Sequence, residues 1–407
     1  MCKFFKLLFL CLIILSITTP YVLAHDATYV WSSSVETSNN IIEETSSSAS
    51  LNLDCGGAIL IEQNTGKILY EQNSHEQLRP ASVTKVMTIL LTMEALDSGR
   101  ISLTDKVPCS ATARSMGGSQ IWLDETEELS VDEMLKAICV VSANDCTVAM
   151  AEFLCGSEEL FVQEMNKRAK ELGMNDTTFK NCHGIDEDGH ITSAHDISLM
   201  SRELMLNHPS ITKYTTIWMD SLRDGKSELV NTNKLIRNYS GCTGLKTGST
   251  SLALFNLSAT ATKNDLSLIA VVMKAPTSAI RFSEAKKLLD YGFNSYNYKQ
   301  FAKSGDIVEN VPVVKGIQDS VDLIYENNAG CLMKKGEEKN VVQNISINRD
   351  IVAPVQKGQK FGEITFSLNG EILSTTNIVA KEDINKIGTL NMIKFVYGNW
   401  FNLLRNM

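Results

Sequence analysis

Three short motifs along this chain carry residues suited to nucleophilic catalysis. In the first, Ser82-Val83-Thr84-Lys85, the serine and the lysine are three residues apart and therefore share one face of a helix. A serine hydroxyl is a poor nucleophile until a base takes its proton. A lysine can be that base when burial and neighbouring cations depress its pKa. Free N–H groups in the first helical turn also favour negative charge beside the serine, so this run predicts an activated serine.

The other two motifs are Ser-Ala-Asn at 142–144 and Lys-Thr-Gly at 246–248. Each motif is weak alone, because similar runs occur elsewhere. They are the S-x-x-K runs at 210–213 and 283–286, the S-x-N runs that begin at Ser38, Ser50, Ser295, Ser346 and Ser367, and a looser Lys-Ser-Gly at 303–305. The order of the motifs along the chain and their predicted structural context distinguish the functional set from these similar runs. Only Ser82 with 142–144 and 246–248 gives a helix start, then a loop between helices, then the edge of a β-hairpin.

Residue patterns predict the elements that position these motifs. Turn residues, capping residues and hydrophobic periodicity mark their ends. The predicted elements are a hairpin over 55–62 and 67–71, a helix from Pro80 to Gly99, a helix from a capping box at 130–133 to about 141, a helix from near 144, a helix capped by Ser193 that ends before Pro209, a hairpin over 252–260 and 266–274, and a helix over 280–291.

The residue pattern becomes β-rich after about residue 297. Short β-rich runs follow at 307–314, 321–325, 341–347 and 363–368, with glycine-containing turns between them. No helical pattern returns before Asp383, and no internal repeat is present. This part therefore predicts a small all-β domain.

Several segments together resemble the serine D-alanyl-D-alanine carboxypeptidases, the low-molecular-mass penicillin-binding proteins. The similar segments are 79–88, 142–145, 182–184, 244–248 and 353–383 with its glycines at 358, 362 and 370. The resemblance covers nearly all of 54–407. It implies an α/β (α+β) transpeptidase or β-lactamase-like domain with an antiparallel sheet and a helical subdomain, followed by the small all-β domain. One departure is Cys146, where we expect a smaller residue; it should pack without altering the chemistry.

The resemblance also implies catalytic roles. Ser82 attacks the carbonyl of the penultimate D-Ala of a peptidoglycan stem peptide, and Lys85 accepts its proton. Ser142 relays a proton to the leaving D-Ala amine, and Asn144 hydrogen-bonds the substrate's peptide. Water then hydrolyses the acyl-enzyme, and the sequence does not identify the base for that step.

Binding roles follow for the strand motif. Lys246 adds positive charge, and Thr247 binds the terminal carboxylate. Gly248 lets the strand backbone come close to substrate, and the N–H groups of Ser82 and Ser249 form the oxyanion hole. β-Lactam antibiotics are the expected inhibitors, and no cofactor or metal is expected.

The N-terminus is expected to be removed from the mature protein. Lys3 and Lys6 precede an apolar run over 7–17, and Val22-Leu23-Ala24 suits a cleavage site. Residues 1–24 are thus predicted to be a secretory signal peptide, with an uncleaved anchor helix as the alternative. Residues 25–53, rich in Ser, Thr, Asn and Glu, are predicted to be a disordered linker. The carboxypeptidase domain is then predicted over 54–296 and a β-sandwich domain over 297–384.

Eight cysteines remain after residue 24, an even number that allows disulfides in an exported protein. A domain of this size has a core and does not need such crosslinks. No C-x-x-C run is present to suggest a metal or redox site. We therefore expect mostly buried free thiols.

Two polar segments offer alternative chemistry. Potential metal ligands crowd residues 182–195, among them Cys182, His183, Asp186, Asp188, His190 and His195. Their spacing fits neither H-E-x-x-H nor an EF-hand loop. A polar loop near the site explains them as well. Glu171 and Asn175 superficially match the E-x-x-x-N of class A β-lactamases, but a helix end at Gly173 is the favoured interpretation.

The C-terminus carries an amphipathic pattern. Apolar residues at helical spacing form one face, and polar residues lie opposite, including Lys394 and Arg405. The apolar residues are Leu390, Ile393, Val396, Tyr397, Trp400, Phe401, Leu404 and Met407. We predict an in-plane membrane-anchor helix over 385–407, with a core-packed helix as the alternative.

The overall charge excludes one class of function. With 38 Lys and Arg against 47 Asp and Glu, the net charge is −9, which argues against a nucleic-acid-binding surface. Two other functions on the same fold stay open: a β-lactamase, and a non-catalytic cell-wall sensor. The C-terminal β domain argues against the first, and the complete set of motif residues argues against the second.

Overall fold

The structure is a computed structural model that describes residues 51–388. Its N-terminal part mixes strands and helices. The strands are β1 (Gly57–Glu62), β2 (Ile68–Gln72), β3 (Lys106–Pro108), β4 (Glu128–Ser130), β5 (Met219–Leu222), β6 (Ser227–Val230), β7 (Cys242–Thr250), β8 (Leu254–Lys263) and β9 (Leu266–Ala275). The helices are α1 (Lys85–Asp97), α2 (Ala111–Arg114), α3 (Val131–Val140), α4 (Asn144–Cys155), α5 (Glu158–Glu171), α6 (Ala194–Asn207), α7 (Thr212–Thr215), α8 (Leu235–Asn238) and α9 (Ser278–Ser295).

Five of these strands form one antiparallel sheet in the order β2-β1-β9-β8-β7. Alternate residues of β1 enter different cores, as the two-residue period of a strand requires. Ile59 and Ile61 face a helical layer that contains α1, α3, α4, α5 and α6, whereas Ala58 and Leu60 face α9. Because both faces are covered, β9 is apolar without interruption over 268–273, whereas β8 also buries the polar residues Asn256, Ser258 and Thr260.

Helices α3 and α6 each begin directly after a capping residue that the sequence predicts. Ser130 accepts a hydrogen bond from the N–H of Glu133, whose side chain returns to the Ser130 N–H, so the predicted capping box is present. Ser193 likewise caps α6 by accepting from the N–H of Asp196. These caps fix where α3 and α6 begin.

The remaining described residues form an all-β region. Its strands are β10 (Tyr296–Ala302), β11 (Ile307–Val314), β12 (Ser320–Tyr325), β13 (Ala329–Lys334), β14 (Val341–Ile347), β15 (Ile351–Val352), β16 (Lys360–Leu368) and β17 (Glu371–Ala380). Six strands make a sheet in the order β14-β16-β17-β12-β11-β15, and β10 pairs with β13. Phe301 of β10 stacks on Phe366 of β16 at 4.8 Å, so the pair and the sheet enclose a small core. The predicted fold class, a mixed domain with an antiparallel sheet followed by an all-β region, is confirmed.

The segments predicted at the two ends of the chain lie mostly outside the described residues. The signal peptide over 1–24 and the amphipathic face over 390–407 are not described. Leu53, the last residue of the predicted linker, is 7% exposed and packs into the core beside α9. Among the described residues, we find no helix with the length and apolarity needed to cross a membrane.

The cysteines within the described residues are free thiols. Five are buried, which agrees with the expectation from sequence: Cys109, Cys139, Cys146, Cys182 and Cys331. Burial raises the pKa of the Cys139 thiol to about 12, so it is unreactive at neutral pH. Cys146 packs fully inside the helical layer.

Candidate active site

The S-x-x-K residues meet where a short 3₁₀ turn, Ala81–Thr84, runs into α1. Lys85 Nζ lies 3.1 Å from Ser82 Oγ, as the three-residue spacing predicts. Ser82 is half-buried at the surface of the cleft, while Lys85 is wholly buried. The serine is therefore reachable and its neighbouring amine is shielded from water.

Two carbonyl oxygens complete the surroundings of the Lys85 amine. Its Nζ donates to Asn144 Oδ1 at 2.6 Å and to the backbone oxygen of His183 at 2.5 Å. A neutral amine has two N–H groups and one lone pair, so these two acceptors leave the lone pair for the Ser82 hydroxyl proton. Desolvation, followed by the charge of Lys246, lowers the pKa of Lys85 well below its usual range. Geometry and electrostatics thus both favour Lys85 as a base.

Ser142 and Asn144 reach the site from the start of α4. Ser142 has a positive φ of 66°, an uncommon conformation for a residue with a side chain. Its Oγ is buried and has no hydrogen-bond partner in the described protein. Asn144 has its amide oxygen on Lys85, and its amide nitrogen donates to the Gly117 oxygen at 2.7 Å. The unpaired Ser142 hydroxyl is free to bond an incoming group.

The Lys-Thr-Gly motif lies on β7. Lys246 is 1% exposed and donates to the Thr247 backbone oxygen at 2.8 Å. Burial, with a smaller contribution from Arg281, lowers the pKa of Lys246 to about 7. Thr247 is also buried, whereas Ser249 is exposed and pairs with Phe255 across the hairpin.

Gly248 brings β7 against the nucleophile segment. A Cβ at this position would lie 2.8 Å from both the Ser82 and the Val83 backbone nitrogens, closer than real Cβ atoms come. Asn256, opposite Gly248 on β8, fixes the same contact, because its side chain donates to the backbone oxygens of Arg79 and Pro80 at 2.8 and 2.9 Å. The sheet edge and the 3₁₀ turn therefore form the two walls of one cleft, with all three motifs around it.

Comparison with known families matches both parts of the chain. Residues 43–277 match the family model described as D-alanyl-D-alanine carboxypeptidase, and residues 296–386 match the C-terminal domain of penicillin-binding protein 5. The chain belongs to the D-alanyl-D-alanine carboxypeptidase family. It is therefore a serine peptidase, a penicillin-binding protein that hydrolyses D-Ala-D-Ala termini.

Individual relatives cover most of this carboxypeptidase. D-alanyl-D-alanine carboxypeptidase DacF of Bacillus subtilis (strain 168) is 48% identical over 84% of this chain and 89% of its own length. The crystal structure of penicillin binding protein 5 from Haemophilus influenzae is similar with a TM-score of 0.68 and 30% identity, covering 82% of this chain and 98% of that one. Penicillin-Binding Protein D2 from Listeria monocytogenes, in its ampicillin-bound form, has a TM-score of 0.55 and 31% identity, covering 60% of this chain and 99% of that one.

The cleft of this carboxypeptidase contains one hydroxyl group that the sequence motifs did not predict, that of Thr232. Thr232 lies in the loop between β6 and α8, and its Oγ1 is 2.7 Å from Thr247 Oγ1. Its N–H donates to the Val140 oxygen at the end of α3, which fixes the loop. No local motif marks Thr232, because its position depends on contacts between segments far apart in the chain.

The polar segment 182–195 turns out to support the nucleophile turn. His190 Nδ1 accepts from the Lys180 N–H at 3.0 Å, so its Nε2 carries the proton and donates to Thr84 Oγ1 at 2.8 Å. Thr84 in turn donates to the Ala81 oxygen. Burial lowers the pKa of His190 to about 4, and burial together with Lys85 lowers that of His183 to about 3. Both rings are therefore neutral structural groups at physiological pH.

Glu171 ends α5, as the favoured interpretation expects. It accepts from Arg168 at 3.4 Å, and Gly173 follows with a left-handed φ of 77°. A glycine in that conformation is typical of a helix C-terminus. No contact of Glu171 with the motif residues is present in the described part of the chain.

Proposed function

We propose that this carboxypeptidase removes the terminal D-Ala of peptidoglycan pentapeptide stems through an acyl-enzyme on Ser82. The observation that carries the proposal is the set of contacts at Lys85 Nζ: two carbonyl acceptors and one serine hydroxyl within 3.1 Å. With its pKa depressed, the lysine holds a lone pair aimed at the hydroxyl proton. The other S-x-x-K serines, Ser210 and Ser283, lie in separate elements.

In the first step Ser82 Oγ bonds to the carbonyl carbon of the penultimate D-Ala while its proton passes to Lys85 Nζ. Negative charge develops on the carbonyl oxygen. The N–H groups of Ser82 and Ser249 are assigned to it, one from the 3₁₀ turn and one from β7. The close approach of β7 to the 3₁₀ turn, where a Cβ on Gly248 would lie only 2.8 Å from the Ser82 nitrogen, supports this pairing of donors from the two walls.

The tetrahedral intermediate then breaks its C–N bond, and the leaving D-Ala amine takes a proton. Ser142 is assigned to relay that proton from Lys85 Nζ, which returns to its neutral form. The buried Ser142 hydroxyl has no hydrogen bond within the described protein that would have to break first. Asn144 is assigned to bond the substrate's peptide. Water finally cleaves the ester, which releases the shortened stem peptide and regenerates Ser82.

The terminal carboxylate of the substrate is assigned to β7. Thr247 and its neighbour Thr232 offer two hydroxyl groups 2.7 Å apart, and Lys246 supplies positive charge behind them. Hydrogen bonds from hydroxyls to a carboxylate are stronger than those between neutral groups. A free carboxyl terminus is what distinguishes a carboxypeptidase substrate from an internal peptide.

Acylation by β-lactams follows from the same chemistry. The ampicillin-bound form of the Listeria relative supports it, and neither the β-lactamase nor the sensor alternative receives support from the comparisons. The deciding experiment is mass spectrometry after penicillin treatment together with D-Ala release from a pentapeptide. We expect one adduct on Ser82, and Ser82→Ala should lose both signals. A stable adduct on another serine would overturn the assignment.

We further propose that the enzyme is exported and held at the outer face of the cytoplasmic membrane, where it contributes to cell-wall biogenesis and cell shape. The predicted signal peptide and the amphipathic face over 390–407 support this location. Lys394 and Arg405 would add attraction to anionic lipid. A chain truncated after Gly388 keeps Ile384 in the β core and the hydrogen bond from the Ile387 N–H to the Lys315 oxygen. It should remain soluble without detergent, bind no liposomes and still cleave D-Ala-D-Ala peptides. Liposome binding that survives truncation, or unfolding of the truncated chain, would contradict the anchor.

A further inference from the structure

Two histidines and an aspartate from three separate segments meet on the surface beside the start of α6. His75 follows β2, Asp176 lies in the loop after α5, and His195 lies in the first turn of α6. A ring nitrogen of each histidine and a carboxylate oxygen of Asp176 all lie within 4.8 Å of one another. We propose that these three residues bind one divalent transition-metal ion, with Zn²⁺ as the preferred ion.

The hydrogen bonds around His195 prepare it as a ligand. Its Nδ1 lies 3.2 Å from Asp196 Oδ1, so the proton sits on Nδ1 and the Nε2 lone pair remains available. A carboxylate that accepts from the other ring nitrogen of a ligating histidine fixes the tautomer and the orientation of the ring, as in many zinc sites. Asp196 is itself held by the Asp176 N–H at 2.8 Å and by Thr177 Oγ1 at 2.7 Å.

Asp176 and His75 complete the cluster. Asp176 Oδ2 lies 2.7 Å from His75 Nδ1 and accepts from Ser193 Oγ at 3.0 Å, so the carboxylate is oriented before any ion arrives. The two imidazole rings stack with their centroids 4.3 Å apart. The His75 side chain is 61% exposed, which gives an ion an entry path and leaves room for water as a further ligand.

The donor set selects the class of ion. Two imidazole nitrogens and one carboxylate suit Zn²⁺ and neighbouring transition metals. Ca²⁺ and Mg²⁺ prefer oxygen ligands alone, so they should not compete. Bound metal would tie the segment around His75 to α6. That segment leads directly into Arg79 and the nucleophile turn, so the ion would brace one wall of the cleft.

A second cluster of potential metal ligands in the described structure has a neighbouring positive charge that opposes metal binding. Glu94, Glu203 and His208 also gather one ligand atom each within 4.8 Å. There Arg168 donates to Glu94 at 2.8 Å and to Glu203 at 2.6 Å, so a guanidinium already forms an ion pair with both carboxylates. A positive charge in that position repels a cation. His208 therefore provides a matched control.

The test is calorimetric titration of the metal-free full chain with ZnCl₂ under reducing conditions. Wild type should bind one Zn²⁺ per chain and should show no heat with CaCl₂ or MgCl₂. His75→Ala and His195→Ala should each weaken the binding about tenfold or more. His208→Ala should leave it unchanged, and thermal melting without metal should show that all three variants remain folded.

Cobalt distinguishes this site from the cysteines. Co²⁺ bound by His75, Asp176 and His195 should give visible d–d absorption without a sulfur-to-cobalt charge-transfer band, and the absorption should vanish in the double variant of His75 and His195. Three results would overturn the proposal: no Zn²⁺ binding by wild type, unchanged binding in the double variant, or a thiolate band that accounts for the bound metal.

Discussion

The side-chain hydroxyls of Thr232 and Thr247 lie 2.7 Å apart, although the two residues belong to different elements. Thr247 is on β7, and Thr232 is in the loop that follows β6. Each hydroxyl has one proton, so in the free enzyme one of them donates to the other. An arriving carboxylate accepts from both, because each oxygen of an ionised carboxyl group has free lone pairs. The pair is thus organised for an anion before substrate binds.

Replacing Thr232 by Val should therefore weaken substrate capture. The variant keeps the shape of the side chain and loses one hydrogen bond to a charged group, a loss of about 1.5–3 kcal/mol, which corresponds to roughly ten- to a hundredfold. We expect kcat/KM for D-Ala release to fall by that factor, mainly through KM, in steady-state assays with a pentapeptide. Thr232→Ser retains a hydroxyl and should recover most of the activity. Equal kinetics for the Val and Ser variants would exclude a role for the hydroxyl.

The lysine of the S-x-x-K motif gives the second prediction. Lys85→Arg places a permanent positive charge at this position and removes the base, because a guanidinium does not lose its proton in the working pH range. The rate of acylation by penicillin, followed by mass spectrometry, should fall about a hundredfold or more. Lys213→Arg, in another S-x-x-K run and ion-paired with Asp132, is the matched control and should acylate normally. Near-normal acylation of Lys85→Arg would leave that lysine with an electrostatic role alone.

The motif geometry was predictable because it is local. A spacing of three residues aligns Ser82 and Lys85 on any helical turn, and the capping box at Ser130 marks the start of α3 wherever α3 packs. Strands with clear alternation were also found in advance: the predicted ranges 307–314 and 341–347 coincide with β11 and β14.

Other features could not be read from local sequence. The strand β10 starts at Tyr296 with no turn residue after α9, and β17 is rich in Thr, Ser and Asn, so neither was predicted. The partners of Lys85 come from Asn144 and His183, 59 and 98 residues away. Such contacts depend on how the helical layer packs against the sheet, which no short pattern encodes.

The contact at Gly248 gives the third prediction. In Gly248→Ala the new methyl group would lie 2.8 Å from the Ser82 and Val83 nitrogens, so β7 and the 3₁₀ turn must separate. Overpacking of this kind costs about 1–3 kcal/mol, and here the cost falls on the proposed oxyanion hole. Penicillin acylation should drop at least tenfold, and the thermal midpoint should fall by several degrees, because the same cost lowers the free energy of unfolding. Gly117→Ala meets open space beside the same cleft and should acylate at the wild-type rate. If both variants behave alike, the close contact has no catalytic importance.

The charges of Lys85 and Lys246 predict a specific pH dependence. Lys85 must be neutral to accept the Ser82 proton, so acylation should rise with pH through the lowered pKa of Lys85 and then level off. Lys246 must be charged to attract a carboxylate, and since its pKa is about 7, kcat/KM should decline as pH rises through that value. A plot of kcat/KM against pH should therefore be bell-shaped, with the decline on its alkaline side near neutral pH.

Lys246→Gln separates the two limbs. Removing this positive neighbour makes protonation of Lys85 less costly, so the pKa of Lys85 rises and the acidic limb moves to higher pH. The alkaline limb near 7 should disappear with the group that causes it. Lys263→Gln removes one charge at the opposite end of β8 and should leave the profile in place. The measurement is the second-order rate of penicillin acylation against pH, normalised to each variant's maximum. An acidic limb that stays fixed in Lys246→Gln would show that the two amines do not interact, and Lys85 would then owe its lowered pKa to burial alone.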